Sequence, residues 1–312
     1  MTSKHLMLLL GGTFVLILGT LAALQLATRE PSSKPAAQKS SDKRTAKHYE
    51  FPGGGRTLLP NKQLVALYGT PGSTVLGALG EQDLPGAITR VKALAAEYQG
   101  LAAQPVYPTF EIITTIASAS PTANGDFSRE IEPASLRPWI DEAERAGVYV
   151  ILDLQPGRTD FLTQAKMYEE LLRRPHVGLA LDPEWRLAPD QQHLTQIGRV
   201  SIQEVNAVSA WLAGLTKQHD LPQKAFVLHQ FRLSMLQDRA QLDTSRSELA
   251  YIIHVDGQGT QPAKRDTWRV LQQDAPANIH WGWKNFTHED QPMLTPPETM
   301  QVQPTPGLIT YQ

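Results

Sequence analysis

From residue 63 onward, short apolar runs recur, each followed by a polar loop and a stretch with helical spacing. The runs are 64–68 (LVALY), 110–116 (FEIITTI), 148–154 (VYVILDL), 177–181 (VGLAL), 225–231 (AFVLHQF), 249–255 (LAYIIHV) and 278–283 (NIHWGW), with 308–311 (LITY) as an eighth. Most are nearly continuous in apolar residues, the pattern of parallel strands buried on both faces. Between them, 87–99 places Ile88, Val91, Leu94, Ala95 and Tyr98 at helical spacing. The stretch 135–146 stops at Gly147, and 160–174 stops before Pro175. A helix over 201–219 opens on Ser201-Ile202-Gln203-Glu204, a capping-box sequence, and 262–273 is the last long helix. Strand and helix alternating about eight times over about 250 residues predict an α/β fold of the (β/α)8, TIM-like barrel type. Only 297–300 is left for a helix before the eighth strand, so the last unit is degenerate. A doubly wound open sheet is the alternative. Against it, no Gly-x-Gly-x-x-Gly follows a strand and no Gly-x-x-x-x-Gly-Lys-Ser/Thr occurs.

The chain before the barrel has another character. Residues 6–27 are an uncharged apolar run in which only Gln25 is strongly polar. A helix rising about 1.5 Å per residue would cross a hydrocarbon layer of about 30 Å over that length. A cleaved signal has a shorter core of about 7–15 residues, so the run reads as a signal anchor or transmembrane helix. Residues 28–62 are rich in Lys, Ser, Pro and Ala and include Gly53-Gly54-Gly55, which reads as a disordered basic linker. Residues 63–312 form the barrel domain. Arg29, Lys34, Lys39, Lys43, Arg44 and Lys47 follow the span, and the positive-inside rule would hold that side in the cytoplasm.

Charge and composition narrow the chemistry. The chain carries 29 Lys+Arg and 31 Asp+Glu, of which 9 basic and 3 acidic residues precede residue 63. The barrel region is therefore acidic and gives no electrostatic signal for nucleic acid. The absence of cysteine excludes disulfides, thiolate metal ligands and a cysteine nucleophile. No cofactor is expected.

In a barrel, functional groups stand at the carboxyl-terminal strand ends. The third strand ends in Asp153-Leu154-Gln155-Pro156-Gly157-Arg158, the fourth in Asp182-Pro183-Glu184-Trp185-Arg186, and the sixth in His254-Val255-Asp256. The fifth carries His229 and Gln230, and the seventh ends in Trp281-Gly282-Trp283-Lys284. In extended backbone Asp182 and Glu184 project to one side. Two close buried carboxylates cannot easily both ionise, so one pKa rises, as a general acid for a glycosidic oxygen requires. Glu184 and Asp182 are thus candidate catalytic residues, with Asp153 and Asp256 as the second carboxylate or as ligands of hydroxyls. Trp185, Trp281 and Trp283 offer flat faces for sugar rings. Gln155, Arg158, His229, Gln230, His254 and Lys284 complete the candidate substrate contacts. A structural alternative stands beside each: Arg158 and Arg186 are ready ion partners for Asp153 and Asp182, and Glu111, near the start of its strand, reads as a stability residue.

The runs ILDLQPGR (151–158), VGLALDPEWRL (177–187), FVLHQF (226–231), IIHVDGQG (252–259) and GWKNF (282–286) resemble an uncharacterised family of exported bacterial proteins with a glycoside-hydrolase-like barrel. The resemblance covers about residues 63–312 and implies a membrane-anchored or secreted protein whose domain is extracytoplasmic. The Asp182-x-Glu184 step is also similar to the strand-four pair of lysozyme-type muramidase barrels, which implies Glu184 as acid/base and Asp182 as its neighbour. That pattern wants an aspartate near the end of strand one, where this chain has Tyr68-Gly69-Thr70-Pro71. Three functions compete. The first is a glycosidase acting on a polysaccharide of the cell envelope. The second is a non-catalytic barrel binding carbohydrate or cell-wall glycan. The third is a metal-dependent hydrolase using His229, His254, Asp256 and Asp182, which no metal-ligand spacing supports.

Overall fold

The computed structural model describes residues 48–312. Eight parallel strands run in chain order around a closed barrel: β1 (Gln63–Gly69), β2 (Val106–Ala117), β3 (Tyr149–Leu154), β4 (Val177–Leu181), β5 (Lys224–Gln230), β6 (Leu249–Val255), β7 (His280–Asn285) and β8 (Leu308–Tyr311). The ring closes because β1 pairs with both β2 and β8. All eight strands read from the apolar runs are present.

The helices are α1 (Leu84–Tyr98), α2 (Pro133–Ala146), α3 (Phe161–Met167), α4 (Glu169–Leu172), α5 (Ile202–Gln218), α6 (Gln261–Gln272) and α7 (Pro296–Met300). The helix expected over 160–174 is broken at Tyr168, whose hydroxyl is held by the carbonyls of Thr114 and Ile131 at 2.8 and 2.9 Å. At the start of α5 only half of the capping box forms. Ser201 Oγ accepts from the Glu204 amide, but the Glu204 carboxylate instead accepts from the Phe161 amide and the Arg186 guanidinium. A complete box occurs at Thr295 and Glu298, opening α7. The unit before β8 is short, as expected. The β5–β6 connection is shorter in helix still, holding only the 3-10 turns Leu233–Met235 and Arg239–Gln241. There the Arg239 guanidinium donates to Gln230 Oε1 and to the carbonyls of Leu271 and Gln273.

Alternation along the strands sorts residues to two sides. Val65, Leu67, Phe110, Ile112, Val150, Leu152, Leu179, Leu181, Phe226 and Leu228 pack outward against the helices. Leu64, Ala66, Tyr107, Tyr149, Ile151, Ala180, Ala225, Val227, Ala250, Ile252 and Leu308 fill the lower interior. Small residues there make room for the tyrosines: a Cβ at Gly178 would lie 2.9 Å from the Tyr149 hydroxyl and 2.8 Å from the Ala225 carbonyl.

The packed body begins earlier than residue 63. Phe51, Leu58 and Leu59 are buried in the same lower cluster, with the Phe51 ring 5.9 Å from Tyr107 and 6.2 Å from Tyr149. Gln223 Oε1 accepts from the amides of Leu58 and Leu59, and Arg56 pairs with Asp220 at 2.9 Å. Residues 48–62 are thus a strap across the amino-terminal mouth, not a free linker; the glycine run marked a turn, since all three glycines hold positive φ. The apolar span 6–27 and residues 28–47 lie outside the described residues. Among the described residues, no helix is long and apolar enough to cross a membrane.

Candidate active site

Going up the barrel by twos from the tyrosine layer, the interior turns polar on every strand. Tyr68 (β1), Glu111 (β2), Asp153 (β3), Asp182 (one past β4), His229 (β5), His254 (β6), Lys284 (β7) and Thr310 (β8) are all buried. Register brings them together: Tyr68 is level with Glu111, His229 with His254, and Lys284 with Thr310. Asp256 follows β6 at the next interior position.

His229 is the centre. Its Nδ1 lies 2.9 Å from Asp256 Oδ2 and its Nε2 lies 2.9 Å from Glu111 Oε1. An ionised carboxylate only accepts, so both ring nitrogens carry protons and the ring is an imidazolium. Burial opposes that charge, but Glu111, Asp256 and Asp153 (4.0 Å away) outweigh it and hold the His229 pKa well above its usual value. Asp153 Oδ2 accepts from the Tyr68 hydroxyl at 2.9 Å. Burial pushes the Asp153 carboxyl up to about 6, with His229 opposing. His254 stands edge-on to His229 at 4.7 Å, with its Nε2 3.1 Å from Thr310 Oγ1. Burial and the charges of His229 and Lys284 keep it neutral. Gly282 admits this ring, since a Cβ there would lie 2.5 Å from His254 Cδ2. The Lys284 ammonium sits 3.5 Å over the Tyr68 ring, a close cation–π contact.

Above this cluster opens a cleft of about 360 Å³ lined by Asp182, Glu184, Asp256 and Lys284, with Trp185, Phe231 and Phe286 among its apolar walls. Asp182 keeps the interior parity of β4, its amide still donating to the Leu154 carbonyl, whereas Glu184 reaches the cleft by another route. The strand stops at Leu181, and the 3-10 turn Pro183–Trp185 carries Glu184 to the mouth. Gly198 clamps that turn: its amide donates to the Glu184 carbonyl at 2.7 Å, and a Cβ there would lie 2.4 Å from the same oxygen.

The carboxyls of the cleft differ in state. Burial, then the Asp256 charge, pushes Glu184 up to about 7. Burial, then Glu184, holds Asp182 well above the carboxylate range. Burial acts to raise Asp256 too, but the hydrogen bond and charge of His229, with Lys284, hold it below the ordinary value. A protonated and an ionised carboxyl in one cleft match general acid and base or nucleophile.

Of the residues proposed from sequence, the structure brings Asp153, Gln155, Asp182, Glu184, Trp185, His229, His254, Asp256 and Lys284 into this cleft or its floor. Four lie elsewhere. Arg158 lies over the Phe127 ring at 4.5 Å and donates to the Gln191 carbonyl. Gln230 accepts from Arg239. Trp283, only 1% exposed, packs outside the barrel against Trp268, and Trp281 packs on the same ring. Both tryptophans have the outward parity of β7, so neither offers a platform to the cleft. The expected arginine partners are also absent: Arg186 pairs with Glu204, and among the described residues neither Asp153 nor Asp182 has an arginine neighbour in an ion pair. Glu111, Tyr68, Phe231 and Phe286 were not read as site residues. Glu111 was placed near a strand start, but β2 begins at Val106, its first turn of sequence disguised by Pro108. A glutamate inside an apolar run, sharing parity with Ile113, was the signal.

Two trios offer ligand atoms within 4.8 Å of one another, Glu111–His229–His254 and Asp182–His229–Asp256. Both need a lone pair from His229, and both of its nitrogens are donors to carboxylates. The donor set therefore suits protons better than a metal.

No family model matches the sequence and no curated protein does, so membership of the exported family its motifs resemble is not shown. Similar solved structures include a xylanase–α-amylase inhibitor protein in complex with trehalose, 13% identical over 80% of this chain and 92% of that one, with a TM-score of 0.46. A new form of such an inhibitor gives 12%, 80%, 92% and 0.46. A glycoside hydrolase family 6 enzyme from Coprinopsis cinerea gives 12% identity over 70% of this chain and 60% of that one, with a TM-score of 0.31. At these scores the likeness is too distant to carry chemistry from one protein to another.

Proposed function

We propose that the barrel hydrolyses a glycosidic bond in a polysaccharide, with cell-envelope or wall glycan as the expected source. The observation that carries this reading is that Glu184 and Asp256 line one cleft with only Asp256 held by His229, at 2.9 Å, which agrees with a Glu184 carboxyl pushed up to about 7 and an Asp256 carboxyl held low. Glu184 gives its proton to the glycosidic oxygen as the C–O bond breaks. Asp256 meets the developing positive charge on the sugar ring, as nucleophile or as base toward water. Water is consumed: its hydroxyl joins the sugar carbon, and its proton passes to Glu184 where Asp256 is the nucleophile, or to Asp256 where Asp256 is the base, after which Asp256 and Glu184 return to their starting states through solvent. Trp185, Phe231 and Phe286 give apolar faces to sugar rings. Burial, then the charge of Asp256, keeps the proton on Glu184.

The test is release of new reducing ends from a panel of wall and capsule polysaccharides by the full chain. Glu184→Gln keeps shape and much of the binding but removes the transferable proton, and the rate should fall about 10²–10⁴-fold. A rate within a few-fold of the parent removes Glu184 from this role. A parent that binds a glycan without cleaving it, and loses binding on Trp185→Ala, is instead a carbohydrate-binding barrel.

A further inference from the structure

The cleft holds more hydrogen-bond acceptors than its own residues satisfy. Asp182 is 2% exposed and Asp256 8%, and Oδ1 of each is buried without a partner among the described residues. Both line the cleft, as do Glu184 and, at the rim, Glu289; Lys284 is the one cation among the lining residues. On the floor, Glu111 Oε2 and Asp153 Oδ1 are likewise without partners. The cations present are already engaged. His229 gives both protons to Glu111 and Asp256, and Lys284 lies on the Tyr68 ring.

A ligand that fits this lining supplies donors and positive charge. A sugar hydroxyl offers one hydrogen and no charge. A protonated amine offers three hydrogens and the charge the carboxylates lack. The region 63–312, which carries more acid than base, also draws a polycation toward the cleft. Resting on the reading of the cleft as a glycan site, we propose that its substrate is a cationic glycan bearing free, de-N-acetylated amino sugars, with Asp182 giving up its proton to solvent as it receives the ammonium group. An N-acetyl group at that place removes the charge and leaves the Asp182 Oδ1 atom facing a bulkier neutral amide.

The experiment is calorimetric titration of the full chain with glucosamine oligomers, galactosamine oligomers, their fully N-acetylated counterparts and neutral glucose oligomers, at low and high salt. One of the cationic series should bind at least about tenfold tighter than its acetylated counterpart, which is a difference of about 1.4 kcal/mol. The preference should shrink at high salt. It should vanish in Asp182→Asn, while that variant keeps its melting temperature within a few degrees or higher. Equal or tighter binding of acetylated or neutral oligomers, no binding of either cationic series, or a preference that survives Asp182→Asn each overturns the proposal. Parallel reducing-end assays separate the two readings. Selective binding of cationic oligomers without cleavage removes the hydrolase and keeps the amine specificity; cleavage of neutral glycans alone does the reverse.

Discussion

Glu111 and Asp256 hold opposite edges of one buried imidazole, each at 2.9 Å from a His229 nitrogen. Glu111 comes from the middle of β2 and Asp256 from the loop after β6. The arrangement fixes the ring plane and its charge, and it leaves the Asp256 carboxylate with a counter-ion on the side away from the cleft. A buried ion cluster of this kind contributes little net stability as a whole, yet breaking it by removing one member is costly.

His229→Gln should therefore destabilise the protein by about 3–5 kcal/mol, because Glu111 and Asp256 are left facing each other without the cation. Denaturant unfolding measures this. A loss below about 1 kcal/mol would show that the cluster is wet or already neutral.

The pH–rate profile follows from the two cleft carboxyls. Glu184 must be protonated, so kcat/KM should fall as pH rises through about 7. Asp256 must be ionised and is held low, so the acidic limb should lie below the ordinary carboxylate range. Replacing His229 by Gln, where the variant folds, should move the acidic limb upward, since Asp256 loses the group that keeps it ionised.

Stability should have its own pH dependence. The Asp153 and Glu184 carboxyls are raised in the folded protein, to about 6 and about 7, so the folded state holds protons the unfolded chain has released. Their contribution is present at mildly acid pH and is lost as pH rises through those values. His229, raised well above its usual value, adds a term of the same sign, fully present below that usual value and lost as pH rises from there toward its raised value. His176, His193, His254 and His280, held low by burial, act in the opposite direction, so the readout is the difference between two proteins. The melting temperature of the parent should fall relative to that of Glu184→Gln as pH rises from mild acid through about 7, and a difference independent of pH would contradict the burial assigned to Glu184.

Gly198→Ala should impair turnover more than folding. The added Cβ would meet the carbonyls of Glu184, Arg186 and Pro183 at 2.4–2.5 Å, all backbone atoms, so the turn carrying Glu184 must shift. Misplacement by about 1 Å can cost about 10²-fold in rate. Unchanged kinetics would mean the turn is not what places Glu184.

Phe51→Ala should cost about 3–5 kcal/mol with little effect on KM, since the ring fills the amino-terminal mouth far from the cleft. A loss under about 1 kcal/mol would return residues 48–62 to the status of a loose tether.

Much of this barrel was legible in the residues because apolar runs such as VYVILDL and LAYIIHV admit little but buried parallel strands. The acids at strand ends were legible because Asp153, Asp182 and Asp256 interrupt or follow those runs directly. Orientation was not. Trp281 and Trp283 share a strand with Lys284, and one residue of parity sends the tryptophans to α6 and the lysine to the cleft. Arg158 lies past β3, where loop geometry decides direction and no period applies, and Gln230 closes β5 with the outward parity opposite to His229. The strap was misread because its few large residues, Phe51, Leu58 and Leu59, are spaced too irregularly to show a period. Their partners Tyr107 and Tyr149 are far along the chain, and only the closed barrel creates the mouth they fill.

The stopper of Phe51 on the Tyr107–Tyr149 layer has a consequence for traffic. With the lower end filled by rings, exchange between the His229 cluster and solvent runs through the upper cleft. A bound chain would then act as a cork. Hydrogen exchange at the His229 ring nitrogens should slow when the cleft fills, and the number of protons beneath it should stay fixed until the product leaves.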